Sequence, residues 1–266
     1  MDNPYLRLTA EFNGGRLRAL LSSDQAVVVH RLALASKDGD WILREDAEAA
    51  GHVLGTLADR GARYRFGAPL DPRWLAGGWS SHLEYRADGL RYRTDFVSRP
   101  PRIPPATLAE MWAGAERSGS DVVALEPLAA IKLTDREKDY AVVGEIARHI
   151  VDVAARFRYS RSSRDLLELA ALHPDALAAA TRERPLLAAV AHGRDALDEA
   201  LDRERRALMR ANEARLDRYR EASRAWAAAW PDVQREIRDL PLSEAHEVVC
   251  VRALGLLPCA PPEPAP

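Results

Sequence analysis

Cysteine is scarce in these 266 residues, with only Cys250 and Cys259 present. Two thiols build neither a disulfide framework nor an all-cysteine zinc site, so the expectation is a reduced, cytoplasmic protein. The seven histidines include no HExxH, and no Cys/His ligand spacing is recognised, which disfavours zinc. No run approaches the roughly 18 apolar residues of a membrane span, so no membrane partner is expected. The opening Met1-Asp2-Asn3-Pro4 lacks a basic stretch followed by an apolar one, which argues against a secretory signal. Net charge is only −2, giving no global drive towards nucleic acid while leaving room for a local basic groove. There is no GxxxxGKS/T, no GxGxxG and no GxSxG, so P-loop, Rossmann and α/β-hydrolase readings lose their main support. No internal repeat is visible.

Hydrophobic residues make up 47% of the chain, so it is not disordered as a whole. The N-terminal half reads as mixed α and β. Ala26–Val29, extended to Leu34, suits a buried strand. Trp41-Ile42-Leu43 follows the charged turn Ser36-Lys37-Asp38-Gly39-Asp40. Asp46 is placed to cap a helix running to about Arg60, which Gly61 would end. Tyr64–Phe66 suits another strand, and residues 67–81 an irregular loop. Asp88-Gly89 between His82–Arg86 and Leu90–Val97 is a hairpin signal. Leu108–Glu116 reads as helix and Val122–Leu125 as a last strand. Pro127 fits the first turn of a helix through Lys132. Beyond about residue 136 the period is helical, with a long charged helix over 195–230 supported by pairs such as Glu199/Arg203 and Asp202/Arg206. Residues 258–266 read as a disordered, proline-rich tail.

The most informative pattern is Asp38-Gly39-Asp40 at the mouth of a strand, with Asp95 late in a later one. Extended residues two apart project to the same side. Asp38 and Asp40 can therefore aim at one point, joined by Asp95 if its strand pairs alongside. Three such carboxylates repel one another, and a hard divalent cation such as Mg²⁺ resolves the repulsion. Two such ions can activate a hydroxyl and stabilise a leaving pyrophosphate. Asp-x-Asp is also common in turns, where both residues cap backbone groups.

Residues 23–43, SDQAVVVHRLALASKDGDWIL, resemble the opening of a minimal nucleotidyltransferase, the group that includes bacterial antitoxin- or toxin-type transferases. Ser36, Lys37, Asp38 and Asp40 match that family's Thr/Ser-Lys-Asp-x-Asp strand, and Asp95 fills the place of its third carboxylate. Residues 125–132, LEPLAAIK, are similar to its post-sheet helix carrying a lysine, and Arg136-Glu137-Lys138-Asp139 resembles its Arg-x-Lys-Asp segment. The resemblance spans roughly residues 10–157. One departure is that the family's glycine pair aligns with Ser23-Asp24. Ser23 keeps a hydroxyl, whereas Asp24 would repel phosphate unless it faces away.

The resemblance implies an α+β fold. A nucleotidyltransferase-like domain with a mixed sheet and flanking helices would cover 1–157, followed by a helical domain over 158–257. It implies Mg²⁺-dependent transfer of a nucleoside monophosphate from an NTP to an acceptor hydroxyl, on RNA, protein or a small molecule. Asp38, Asp40 and Asp95 would hold the metal, with Asp95 also taking up the acceptor proton. Lys132 would neutralise phosphate, and Ser23, Ser36, Lys37 and Lys138 would contact nucleotide. The alternative is a catalytically degenerate interaction module of antitoxin-like or regulatory type, meeting a protein partner through its helical region. Plainer readings stand beside several of these residues. Lys132 would be a solvated helix-end charge, Lys138 and Asp139 a structural pair, and Lys37 a flank facing away. Gly77-Gly78-Trp79-Ser80-Ser81 is either an anion nest with a stacking tryptophan or a glycine turn with a packed one. His30 and His82 read as hydrogen-bonded structural histidines. Arg156, Arg158, Arg161 and Arg164 either follow a nucleic-acid backbone or form a solvated helix end.

Overall fold

The computed structural model describes residues 3–34, 36–134 and 136–262. It divides into two compact units, 1–123 with 217–266, and 124–216. The second unit thus begins at Ala124 rather than after residue 157, and the chain returns to the first unit from Asp217.

In the first unit α1 (Pro4–Phe12) leads into β1 (Ala19–Ser22) and α2 (Ser23–Val29). Then come β2 (Asp38–Leu43), α3 (Ala47–Ala58), β3 (Arg63–Gly67), α4 (Pro72–Leu75), β4 (Ser81–Ala87), β5 (Leu90–Val97) and α5 (Pro105–Ser118). The strands form one five-stranded sheet in the order β1-β2-β5-β4-β3. Only β2 and β5 run parallel; the other neighbours are antiparallel. This is a mixed sheet with flanking helices, the α+β class expected.

Local chemistry accounts for several elements. Asp46 caps α3 by accepting the Ala49 N–H at 2.8 Å, as its position predicts. Asp88 and Gly89 both take positive φ, 52° and 74°, the geometry a tight hairpin needs. Three expectations fail. Ala26–Val29 is helical, because Gln25, Ala26 and Val27 pack inward and the few tenths of a kcal/mol that valine costs a helix are outweighed. Val122–Leu125 makes a single bridge to Leu21, with Leu125 already opening the next helix. The helix over 195–230 breaks at Ser223, whose hydroxyl bonds back to the Arg220 carbonyl at 3.2 Å.

One face of the sheet carries the core. Trp41, Phe96, Phe12 and Leu83 are buried there, with Trp41 stacked on Phe96 at 5.4 Å. The Trp41 indole donates to Thr9 at 2.9 Å. Helices α12 (Arg224–Glu236) and α13 (Leu242–Ala253) add Trp226, Val233 and Val249 to the same core, with Ile237 just after α12, which is why the chain returns here. Trp74 and Trp79 donate to the Leu257 and Pro258 carbonyls, at 3.0 and 2.7 Å. Trp79 is thus packed, and it meets Tyr219 edge-on. The tail expected from residue 258 is anchored at its start, and 263–266 lie outside the described residues.

The second unit is helical: α6 (Leu125–Ile131), α7 (Glu137–His149), α8 (Val153–Tyr159), α9 (Ser163–Leu172), α10 (Pro174–Glu183), a 3₁₀ segment at Pro185–His192, and most of α11 (Arg194–Ala222). Phe157, Leu166, Leu169, Leu187 and Leu197 form its core. Arg184 donates to the Phe157 and Ser160 carbonyls at 2.6 and 2.9 Å and pairs with Glu204. Much of the basic cluster is tied up as well. Arg158 meets Glu126 and Glu183, Arg161 meets Glu204, and Arg164 meets Glu168. Burial brings the Arg161 guanidinium down to about 10, helped by nearby Arg184.

Candidate functional site

The face of the sheet opposite Trp41 is charged, and the strand register explains why. Ser22 pairs with Asp40, Asp40 with Asp95, and Asp95 with His82, so these side chains form one row across four strands. Two residues along lies a second row, Asp38, Arg93, Glu84 and Arg63, alternating in sign. Asp38, Asp40 and Asp95 therefore share a face of two parallel neighbours. Gly39 between the two aspartates faces the core. A Cβ there would sit 2.4 Å from the Trp41 ring and 2.6 Å from Tyr5, so glycine alone lets β2 lie flat while both carboxylates face outward.

Basic groups already attend these carboxylates. Asp95 has Arg65 at 3.3 Å and His82 Nδ1 at 2.9 Å. The His82 approach is off-line for a hydrogen bond, and its Nε2 meets the Ser80 hydroxyl at 2.7 Å. Phe66 stacks on His82 at 4.1 Å and is half exposed. Asp38 lies 3.5 Å from Arg93, and its Oδ1 is buried with no hydrogen-bond donor. Beside Asp38 opens a groove of about 750 Å³ lined by Arg7, Lys37, Arg91 and Arg93. Tyr5 also lines it and donates to the Lys37 carbonyl at 2.7 Å; burial, with Asp38 nearby, pushes its hydroxyl up to about 12.

The remaining expected residues are placed as follows. Ser36 donates to the Asp38 carbonyl at 3.2 Å, bracing the start of β2. Lys37 is exposed. Ser23 follows β1 directly with φ +49°, a left-handed conformation that glycine adopts more readily. The turn thus takes a glycine-like shape without glycine. Lys132 is no solvated helix-end charge. It is 1% exposed and pairs at 2.9 Å with Asp139, equally buried, in the second unit. Burial alone would raise the Asp139 carboxyl, but hydrogen bonds from Thr134 and Lys132 hold it below the usual range. Lys138 is exposed in the same unit. His30 is structural, 2.8 Å from the Val123 carbonyl.

The sequence reading missed another constellation. Among the described residues, Asp71, His246 and Cys250 bring one ligand atom each within 4.8 Å of one another. The aspartates on the sheet share a face but are not drawn into such a group. The available signal was His246-x-x-x-Cys250 on one helical face, with Asp71 unforeseeable so far upstream.

No family model and no curated protein matches the sequence. One solved structure, described as a candidate nucleotidyltransferase from H. pylori, superposes over 79% of this chain and 93% of its own, with 12% identity and a TM-score of 0.38. A likeness that distant adds no weight to what the residues themselves show. No helix among the described residues is long and apolar enough to cross a membrane.

Proposed function

We propose that this chain is a cytoplasmic nucleotidyltransferase that moves a nucleoside monophosphate from an NTP to an acceptor hydroxyl, in a system of toxin–antitoxin type. The observation that carries the reading is the parallel pairing of Asp40 with Asp95, with Asp38 two residues away on the same face. Those hard oxygens fit Mg²⁺, and Asp38 Oδ1, which has no hydrogen bond and only the Arg93 guanidinium at 3.5 Å, suits a cation better than a neutral donor. When bound, Mg²⁺ would neutralise phosphate charge and polarise its oxygens.

The chain's own residues do the rest. Arg7, Lys37, Arg91 and Arg93 give the groove beside Asp38 the charge to hold a polyphosphate. The acceptor oxygen bonds to the α-phosphorus as the bond to the β-phosphate breaks, and pyrophosphate leaves. Asp95 takes the hydroxyl proton, with Arg65 and His82 steadying its position. Placement and electrostatics supply most of the rate.

A second reading, an interaction module that has lost catalysis, draws on the arginines facing Asp38 and Asp95 and on Ser23 in its strained turn. Incubating the protein with four α-labelled NTPs, Mg²⁺ and cell lysate separates the two. The transferase reading expects label on an acceptor with wild type and none with Asp40→Ala. Transfer that survives the substitution rejects the site, and no transfer by either protein favours the module.

A further inference from the structure

The geometry points to a second metal site, formed by Asp71, His246 and Cys250, for a borderline-soft divalent ion of the zinc type. Nothing in the transfer chemistry uses these residues. His246 and Cys250 are one turn apart on α13 and so share a face. The Cys250 sulfur lies 3.5 Å from His246 Nε2, and all three donor atoms fall within 4.8 Å of one another. A thiolate, an imidazole and a carboxylate suit zinc-type ions rather than Mg²⁺ or Ca²⁺. Three protein ligands leave a fourth position to solvent.

A separate observation supports the assignment. The Tyr64 hydroxyl, fully buried, lies 2.7 Å from His246 Nδ1 and accepts the Leu70 N–H at 2.9 Å. Partnering of one ring nitrogen is how ligand histidines are oriented, and it leaves Nε2 facing the cysteine. Beside Tyr64 sits the buried Ser81 hydroxyl. With an ion on Nε2, Nδ1 keeps its proton and donates to the Tyr64 oxygen. The Tyr64 proton can then turn to the Ser81 oxygen.

Two features set conditions on binding. Arg73 grips Asp71 through both carboxylate oxygens at 2.9 Å, yet its side chain is half exposed and can withdraw into solvent. Burial pushes the Cys250 thiol up to about 12, so the ion must displace the thiol proton, which leaves to water. The resulting Asp⁻, Cys⁻ and divalent cation sum to zero charge. An ion held there would fasten the start of α4 to α13.

The test uses the full-length protein, reduced and stripped with chelator, then titrated with Co²⁺. Wild type should develop a thiolate-to-cobalt charge-transfer band that saturates at one equivalent and is bleached by Zn²⁺. Cys250→Ser should lose the band, Asp71→Asn should bind at least about tenfold more weakly, and Cys259→Ser should match wild type. Because variants can misfold, a second readout needs none of them: Zn²⁺ should raise the Tm of wild type above that of the chelated protein. Absence of the band in wild type, its persistence in Cys250→Ser, its loss in Cys259→Ser, or an unmoved Tm would each overturn the assignment.

Discussion

Two charged groupings of this molecule each set aspartate against a basic side chain, yet they differ in burial. Asp139 and Lys132 meet at 1% exposure each, sealed inside the second unit. The sheet row is open: Asp95 is 20% exposed and Asp38 39%, with arginines nearby but not enclosing them. A sealed pair is expensive to break and useless to a substrate. An open row contributes little to folding and stays available for chemistry. Burial, more than charge pattern, separates the two groups of acids here.

The largest effect expected from breaking this contrast is on the sealed side. Asp139→Ala leaves Lys132 buried without its carboxylate and should cost about 3–5 kcal/mol in denaturant unfolding. A cost near zero would put Asp139 among the open acids. The pair also sets a pH dependence. Because the folded Asp139 carboxyl is held below its ordinary value, its contribution is complete above about pH 4 and disappears as pH falls through the lowered value. Acid titration of wild type and Asp139→Asn, followed by circular dichroism, should show an acid-side loss that the variant lacks.

Of middle size is Gly39→Ala. Its new methyl collides with Trp41 and Tyr5, and overpacking of this kind costs about 1–3 kcal/mol. The collision tilts both neighbouring aspartates, so any Mg²⁺-dependent nucleotide affinity should fall with the stability. The smallest stability effect belongs to Asp95→Asn. Asp95 is partly exposed and asparagine keeps the size of its side chain, so unfolding should move by less than about 1 kcal/mol.

Much of this was readable in advance where a local rule decides the structure. The Asp88-Gly89 hairpin, the Asp46 cap and the Asp-x-Asp strand each rest on a few adjacent residues. The β1 segment was missed because Ala-Leu-Leu-Ser, buried on both sides, carries no alternation to read. Three consecutive valines misled for the opposite reason, since packing of α2 overrode their strand preference. The pairing of Asp40 with Asp95 was foreseeable from order, whereas the partners Arg65 and His82 depend on a register that turns and a bulge near Phe66 decide. Lys132 reads from sequence as a phosphate-binding or a solvated cation because nothing local announces that Asp139 will be buried with it. The Asp71, His246 and Cys250 cluster joins the two chain segments of the first unit and exists only after folding.

The central claim is that the open row is kept for a cation and a nucleotide. Nucleotide affinity measured by calorimetry, with and without Mg²⁺, tests it most directly in wild type and Asp40→Asn. The account predicts that Mg²⁺ tightens wild-type binding by at least about tenfold, some 1.4 kcal/mol, and leaves the variant unchanged. An equal gain in both proteins, or no gain in wild type, would contradict it.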